Sequence, residues 1–358
     1  MGTWCIANCA EAYIMTNILF RKLYEKYTAS PPRFIANRLV REQKRLRPGD
    51  IVYAMLIFGA LADMDCPYYL AGESAASLAV YLLGFSSANP LPPHYYCPVC
   101  HRVERAQGAL DGFDLPKKSC PACGNEMLGD GHDFHFGYLY GGGLGTLLVC
   151  IPESRYYEIV DYLRRLLGMT STECEPFSPD KFAQFGTVCI SPSKELPSRC
   201  ANWHKAPTGA QVKTHALSIC KDGILENDSQ RNRSLLQRCA DVESFCGAVR
   251  CYGIAAATWK RPVKAAALLS MQMLPDAAIM REDVYDFFRS VGFDEYSAHR
   301  QMKRFYKGRG ATIDGMTKEQ NAFLERCSEY SYIPSRICAV EYYIAKTKQA
   351  LKGCADNG

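Results

Sequence analysis

The chain has 358 residues, 48% of them hydrophobic and 22% charged, with a formal net charge of +5. This composition is globular and excludes a disordered, collagenous or coiled-coil chain, while the length implies two domains or one with insertions. The longest clean apolar run, Ile51 to Ala62, falls short of the roughly 20 residues of a membrane-spanning helix, and the mild basicity permits a nucleic-acid partner without requiring one.

The first residues lack the basic, apolar and small-residue order of a signal peptide, and Ile6 stands where a myristoylation signal wants Ser or Thr. A soluble, cytoplasmic protein is expected. Over residues 9–28, Tyr13, Ile14, Ile18 and Leu19 recur at three-to-four spacing and predict an amphipathic helix, closed by Pro31 and Pro32. Arg33, Arg38, Arg41, Lys44, Arg45 and Arg47 then face a single acid, Glu42. Two readings stand here: a solvated helix face, or a strip whose cations displace counterions from a polyanion. Arg47-Pro48-Gly49-Asp50 has turn chemistry ahead of the apolar run, and residues 1–49 are expected to form a basic helical segment.

Residues 84–145, rich in Gly, Pro, Cys and His, predict loops and short strands around something other than a large apolar core. Leu147 to Ile151 predicts a strand, and Tyr156 to Leu167 a helix stopped by Gly168. Residues 169–238 are polar and weakly patterned. From 239 to the end helices are predicted at 261–273, 282–291, 297–306, 318–330 and 336–351, punctuated by Gly292, Gly308, Gly310 and Pro334.

Eighteen cysteines stand out in a chain of this size. Four of them form Cys97-Pro-Val-Cys100 and Cys120-Pro-Ala-Cys123, separated by nineteen residues. Each pair predicts a knuckle presenting two thiolates, and two knuckles complete a tetrahedral Zn2+ site. Four thiolates leave no open coordination position, so one structural zinc is expected. Pro98 and Pro121 stiffen the knuckles, and Gly124 permits the turn. His94, His101, His132 and His135 are expected as surface or packing residues. Cys200, His204, His215 and Cys220 offer ligand types at irregular spacing, a weaker candidate for a second metal. The remaining cysteines read as small buried or free thiols. Asp63 and Asp65 form an Asp-x-Asp, either a solvated turn before Pro67 or a carboxylate pair for metal.

Around the two knuckles run Asn89-Pro-Leu-Pro-Pro-His-Tyr95, Gly112-Phe-Asp-Leu-Pro116 and Asp130-Gly-His-Asp133. In this order they resemble the PolC-type DNA polymerase III family of bacterial replicative polymerases. Gly145-Thr-Leu-Leu-Val-Cys-Ile-Pro152 with Tyr157-Glu-Ile-Val-Asp161 is similar to a later palm segment of that family. Arg281-Glu-Asp-Val-Tyr-Asp-Phe-Phe288, Lys307-Gly-Arg-Gly310 and Ile333-Pro334 resemble its fingers helices. The resemblance covers roughly 50–160 and 278–352. It implies an α+β architecture: a degenerate palm-like mixed sheet within 50–168, an inserted zinc ribbon over about 89–135, a connecting region 169–238 and a helical, fingers-like region 239–358.

The departures from the family concern its chemistry. The family places an Asp-x-Asp strand shortly after the ribbon, where two carboxylates hold two Mg2+ ions. Between Phe136 and Leu147 this chain has no aspartate. The family's triphosphate turn becomes Ala71-Gly72-Glu73-Ser74-Ala75-Ala76-Ser77, with a carboxylate, Glu73, at the phosphate position. Its F-P-K-A-H becomes Ile333-Pro-Ser-Arg336-Ile337. The resemblance therefore implies a non-catalytic relative with no Mg2+, binding nucleic acid or a replication protein. The candidate nucleic-acid contacts are Arg38, Arg41, Lys44, Arg45, Arg300, Lys303, Arg304, Lys307, Arg309 and Arg336. Phe305 and Tyr306 are core residues, or stack on bases. Asp130 and Asp133 are expected to brace the ribbon. An active polymerase using other carboxylates and a protein-binding mimic of the polymerase are the alternatives.

Overall fold

The computed structural model describes residues 17–28, 30–71, 73–135, 146–168, 183–186, 188–200, 203, 205–222, 242–259, 278–305, 309–310 and 313–352. The chain divides into two units, Met1–Val212 with Glu341–Gly358, and Lys213–Val340. Among the described residues no helix is long and apolar enough to cross a membrane.

In the first unit, helix α1 (17–26) buries Leu19 and Leu23, and the following Tyr27 is buried too. These pack with Ile35 and Leu39 of α2 (Arg33–Gln43), with Leu78, Ala79 and Leu82 of the short α4 (Leu78–Leu82), and with Leu91. The apolar run forms α3 (Pro48–Asp63), which starts at Pro48 rather than after a turn, because Pro is tolerated in a first helical turn. Its chain then turns through Asp65, at φ 49°, towards strand β1 (Tyr69–Leu70).

Two four-stranded sheets follow. The ribbon-side sheet is β3-β2-β5-β4, all antiparallel, from β2 (His94–Tyr96), β3 (Val103–Arg105), β4 (Lys118–Ser119) and β5 (Glu126–Asp130). The other sheet is mixed, in order β1-β6-β8-β7. At its centre β6 (Leu147–Pro152) runs parallel to β8 (Val188–Ser193), with Leu147 opposite Val188. A parallel pair needs a crossover, and α5 (Tyr156–Leu166) lies in it, burying Tyr156, Ile159, Val160 and Leu163 at helical spacing. β7 (Ala183–Phe185) pairs antiparallel with β8. None of these four strands carries Asp or Glu; their sequences are YL, LLVCIP, AQF and VCISPS. The weak patterning of 169–238 concealed β7, β8 and helix α6 (Gly209–Asp222), because short strands offer too few alternations to register.

The second unit is mainly helical, with α7 (Phe245–Ala256), α8 (Arg281–Ser290), α9 (Glu295–Phe305), α10 (Lys318–Ser328) and the first part of α11 (Arg336–Lys352). The helix predicted at 261–273 lies outside the described residues. No sequence pattern marks the two-stranded ribbon of β9 (Thr258–Trp259) and β10 (Tyr330–Tyr332), because it pairs residues far apart in the chain. Val284, Tyr285 and Phe288 of α8 are buried, as are Ala298, Met302 and Phe305 of α9. The rings of Phe288 and Phe305 lie 5.6 Å apart. Glu282, also buried, accepts from the Ser335 hydroxyl at 2.7 Å and from the Arg336 amide at 2.9 Å, closing the start of α11.

Candidate metal centre and its surroundings

Each Cys-x-x-Cys sits at the tip of a hairpin of the antiparallel sheet. Cys97 follows β2, and Cys100 leads into β3; Cys120 follows β4, and Cys123 leads into β5. The two tips fold alike. The His101 amide donates to the Cys97 carbonyl at 2.9 Å and the Gly124 amide to the Cys120 carbonyl at 2.8 Å. The Cys97 and Cys120 amides donate to the carbonyls of Arg102 and Asn125, at 2.8 and 2.7 Å. The residue after each second cysteine has positive φ, 57° at His101 and 73° at Gly124. Glycine adopts that conformation freely; His101 is held in it while its Nδ1 bonds the Lys26 carbonyl at 3.1 Å.

The four Sγ atoms lie within 4.8 Å of one another, with Cys97 to Cys123 at 3.4 Å and Cys100 to Cys120 at 3.5 Å. Sulfurs at the corners of a tetrahedron with Zn–S bonds near 2.3 Å are about 3.8 Å apart, so the donor set fits a Zn2+ ion. Cys97 and Cys120 are buried, and Cys100 and Cys123 are exposed. Among the described residues this is the only group of three or more metal-ligating side chains found together. The second candidate set is not assembled: Cys200 is disulfide-bonded and has no thiolate to donate, while His204 lies outside the described residues. The same bond corrects the expectation that Cys200 is a free thiol.

The nearby histidines are not ligands. His94 and His132 are fully buried, which corrects the surface alternative for both. His94 Nδ1 bonds the Pro92 carbonyl at 2.8 Å, and His132 Nδ1 bonds Asp111 at 2.9 Å. Asp130 ends β5 inside a polar cluster. Its carboxylate accepts from the Tyr81 hydroxyl at 2.9 Å, the Asn89 amide at 2.7 Å and the Gly131 amide at 2.8 Å, with Lys26 Nζ 3.8 Å away. Lys26 also donates to Tyr81, so α1, α4 and the antiparallel sheet are tied through these groups. Asp133 is exposed.

Burial alone would raise the Asp130 carboxyl, but Lys26, His94, His132 and the Asn89 amide outweigh it and hold the group below the usual carboxylate range. Burial pushes Lys26 down, against the pull of Asp130. A carboxyl depressed in the folded state adds stability above its unfolded pKa of about 3.9, and that stability disappears as pH falls through the folded value. Urea unfolding followed over an acid pH series should therefore show stability falling below about pH 4 in the native protein. In Asp130→Asn the baseline stability at neutral pH should be lower and this part of the acid dependence absent.

The basic residues predicted from sequence divide by position. Arg38 is turned inward, with 12% of its side chain exposed; it pairs with Glu42 at 2.5 Å and donates to the carbonyls of Phe134 and Ala76 at 2.9 and 2.8 Å. Its guanidinium serves the fold, which corrects its place in a surface strip. Arg41, Lys44 and Arg45 are exposed in the same unit. On α9 of the second unit Arg300, Lys303 and Arg304 are exposed at i, i+3 and i+4, on one face, opposite the buried Ala298, Met302 and Phe305. Arg309 is exposed, Lys307 and Tyr306 lie outside the described residues, and Arg336 is half-buried at the start of α11. Phe305 is a core residue, 1% exposed.

Sequence reasoning missed the part played by Glu42. The helix after the altered turn starts at Ser77, whose side chain accepts from the Val80 amide. Glu42 accepts from the Leu78 and Ala79 amides at 3.0 and 3.2 Å and from the Ser77 hydroxyl at 2.8 Å. The amides that open α4 are thus satisfied by a carboxylate of the protein itself. The side chain of Glu73, the residue expected to oppose phosphate, lies outside the described side chains. The sequence signal for Glu42 was its isolation as one acid among six cations.

No protein-family model matches the chain. It is similar to curated proteins described as DNA polymerase III PolC-type. That of Thermotoga petrophila is 34% identical over 129 residues, which is 34% of this chain and 9% of the relative. That of Bacillus subtilis (strain 168) is 35% identical over 116 residues, 31% of this chain and 8% of the relative. That of Ureaplasma parvum is 46% identical over 65 residues, 18% of this chain and 4% of the relative. The matched stretches thus span less than a tenth of the length of these relatives. The chain is a distant or partial relative of PolC-type polymerases.

Proposed function

We propose that the chain is a non-catalytic relative of the PolC-type polymerases that binds nucleic acid and keeps a structural zinc ribbon. In this reading the mixed sheet β1-β6-β8-β7 is the palm-like element, the hairpins carrying Cys97, Cys100, Cys120 and Cys123 are the ribbon, and residues 239–358 are fingers-like. The observation that carries it is the absence of Asp and Glu from all four strands of the mixed sheet. Two-metal phosphoryl transfer needs carboxylates projecting from such a strand to hold both ions. The zinc, bound by four thiolates, would cross-link the two hairpins and offer no coordination position to a substrate. The Glu42 carboxylate at the start of α4 supports the same reading, since an anion at that helix end would meet a negative charge.

Nucleic-acid binding rests on Arg300, Lys303 and Arg304, which share one exposed face of α9. Arg41, Lys44, Arg45, Arg309, Lys307 and Arg336 are secondary candidates. Two measurements test the proposal. Primer extension with Mg2+ or Mn2+ should give no incorporation, and any incorporation defeats the non-catalytic reading. Fluorescence anisotropy with labelled DNA at low salt should detect binding that weakens steeply as salt rises. Replacing Arg300, Lys303 and Arg304 by Glu should weaken binding strongly, and the loss of three phosphate contacts should lower the slope of log K against log salt by about 2–3. Absence of binding by the unmodified protein at low salt rejects the nucleic-acid role and leaves a replication protein as the partner, captured in a form resistant to nuclease.

A further inference from the structure

Helix α3 is apolar on both faces, yet among the described residues only one is covered. Ile51, Ala54, Ile57, Phe58 and Leu61 are buried, whereas Val52, Tyr53, Met55 and Leu56 remain 40%, 39%, 38% and 45% exposed. A helix that is hydrophobic all round is ordinarily covered all round. On the open face Gly49, Val52, Leu56, Gly59 and Asp63 recur at alternating three- and four-residue spacing, the pattern of a helix–helix seam. A Cβ placed at Gly49 or Gly59 would meet nothing within 4 Å, so the seam is open at both of these levels. Its two ends differ in charge. Lys44, Arg45 and Arg47, all exposed, precede the helix, and the exposed Asp63 and Asp65 close it.

We propose that this face is the contact between two copies of the chain, paired antiparallel about a two-fold axis level with residue 54. In that register Val52 packs against Leu56 of the second copy and Gly49 against Gly59, each contact occurring twice, with Tyr53 and Met55 on opposite edges of the seam. The same operation lays the basic end of one copy along the acidic end of the other, while a parallel pair would bring like charges together. Antiparallel helices also oppose their dipoles. Complementarity of the face to itself, in both side-chain size and charge, selects a second copy over a partner of different surface. A helix of 16 residues is about 24 Å long, so this contact is well below the roughly 1,600 Å² of a standard interface, and a weak dimer with micromolar dissociation is expected.

Sedimentation velocity decides it. Wild type should move from monomer to dimer between about 1 and about 100 μM, a range that brackets micromolar dissociation. Leu56→Glu should stay monomeric throughout with an unchanged circular dichroism spectrum, because the side chain is exposed in the single copy. Arg45→Glu with Arg47→Glu should weaken association at least tenfold, and adding Asp63→Arg with Asp65→Arg should restore it. A monomeric wild type, which includes the case where another segment of the chain covers α3, overturns the proposal. So does a Leu56→Glu protein that dimerises like wild type. Failure of the fourfold charge exchange to restore the dimer rejects the antiparallel pairing.

Discussion

Removing the metal, or replacing Cys97 by Ser, is expected to unfold the hairpin module of residues 94–130 while the rest of the first unit keeps its secondary structure. The apolar core of this module consists of Tyr95, Cys97, Cys120 and Met127, with Ala106 and Leu115 beside it, and two of the four core residues are candidate metal ligands. So small a core cannot offset the conformational entropy of ordering four short strands. A Zn2+ ion held by the four thiolates would supply what the core lacks, since binding of a structural Zn2+ contributes about 10–16 kcal/mol in small zinc domains at neutral pH. Without it, four sulfurs packed as close as 3.4–3.5 Å have no ion to hold them together, and the knuckles lose the reason for their closure. Metal analysis should return one zinc per chain. Hydrogen exchange should then show loss of protection confined to 94–130 on chelation, with protection recovered when zinc is added back. Cys97→Ser should lower zinc content by an order of magnitude or more. Cys189→Ser, at a half-buried thiol on β8 outside the cluster, should leave zinc content unchanged. Retained protection after complete chelation would reject a structural role for the metal.

Glu42→Ala should be among the most destabilising single substitutions in the first unit, at about 3–5 kcal/mol. The carboxylate is fully buried and accepts four hydrogen bonds, from Arg38, Ser77, Leu78 and Ala79. Its loss strands the Arg38 guanidinium in a site where only 12% of that side chain reaches solvent, and it leaves two amides of α4 without their acceptor. The double change Glu42→Ala with Arg38→Met should recover part of the loss, because the buried cation goes with its partner. Chemical denaturation of the two single variants and the double variant forms a closed cycle, and strict additivity would contradict the coupling. Glu42→Gln keeps the shape and two lone pairs but not the charge, so its cost should fall between that of wild type and that of Glu42→Ala.

The cysteine site was legible in the sequence because it is written locally, whereas the mixed α+β architecture was expected from the family resemblance. A Cys-x-x-Cys pair determines its own knuckle, and the three-to-four spacing of Ile159, Val160 and Leu163 or of Ala298, Met302 and Phe305 determines which helix face is buried. The sequence also shows directly that no aspartate lies between Phe136 and Leu147, where the resemblance implies an Asp-x-Asp. Tertiary structure decided what depends on partners distant in the chain. It converted Arg38 from a strip residue into an internal one, because Ala76 and Phe134 bring carbonyls to it from 38 and 96 residues away. It gave the lone acid Glu42 its place at the start of α4, buried His94 and His132 and placed Asp130 among Lys26, Tyr81 and Asn89. A one-dimensional pattern records how residues alternate within an element, but the worth of a charge depends on what surrounds it in three dimensions. Hairpin chemistry and helix periodicity could therefore be read in advance, whereas the choice between a surface cation and a structural one was made only by packing.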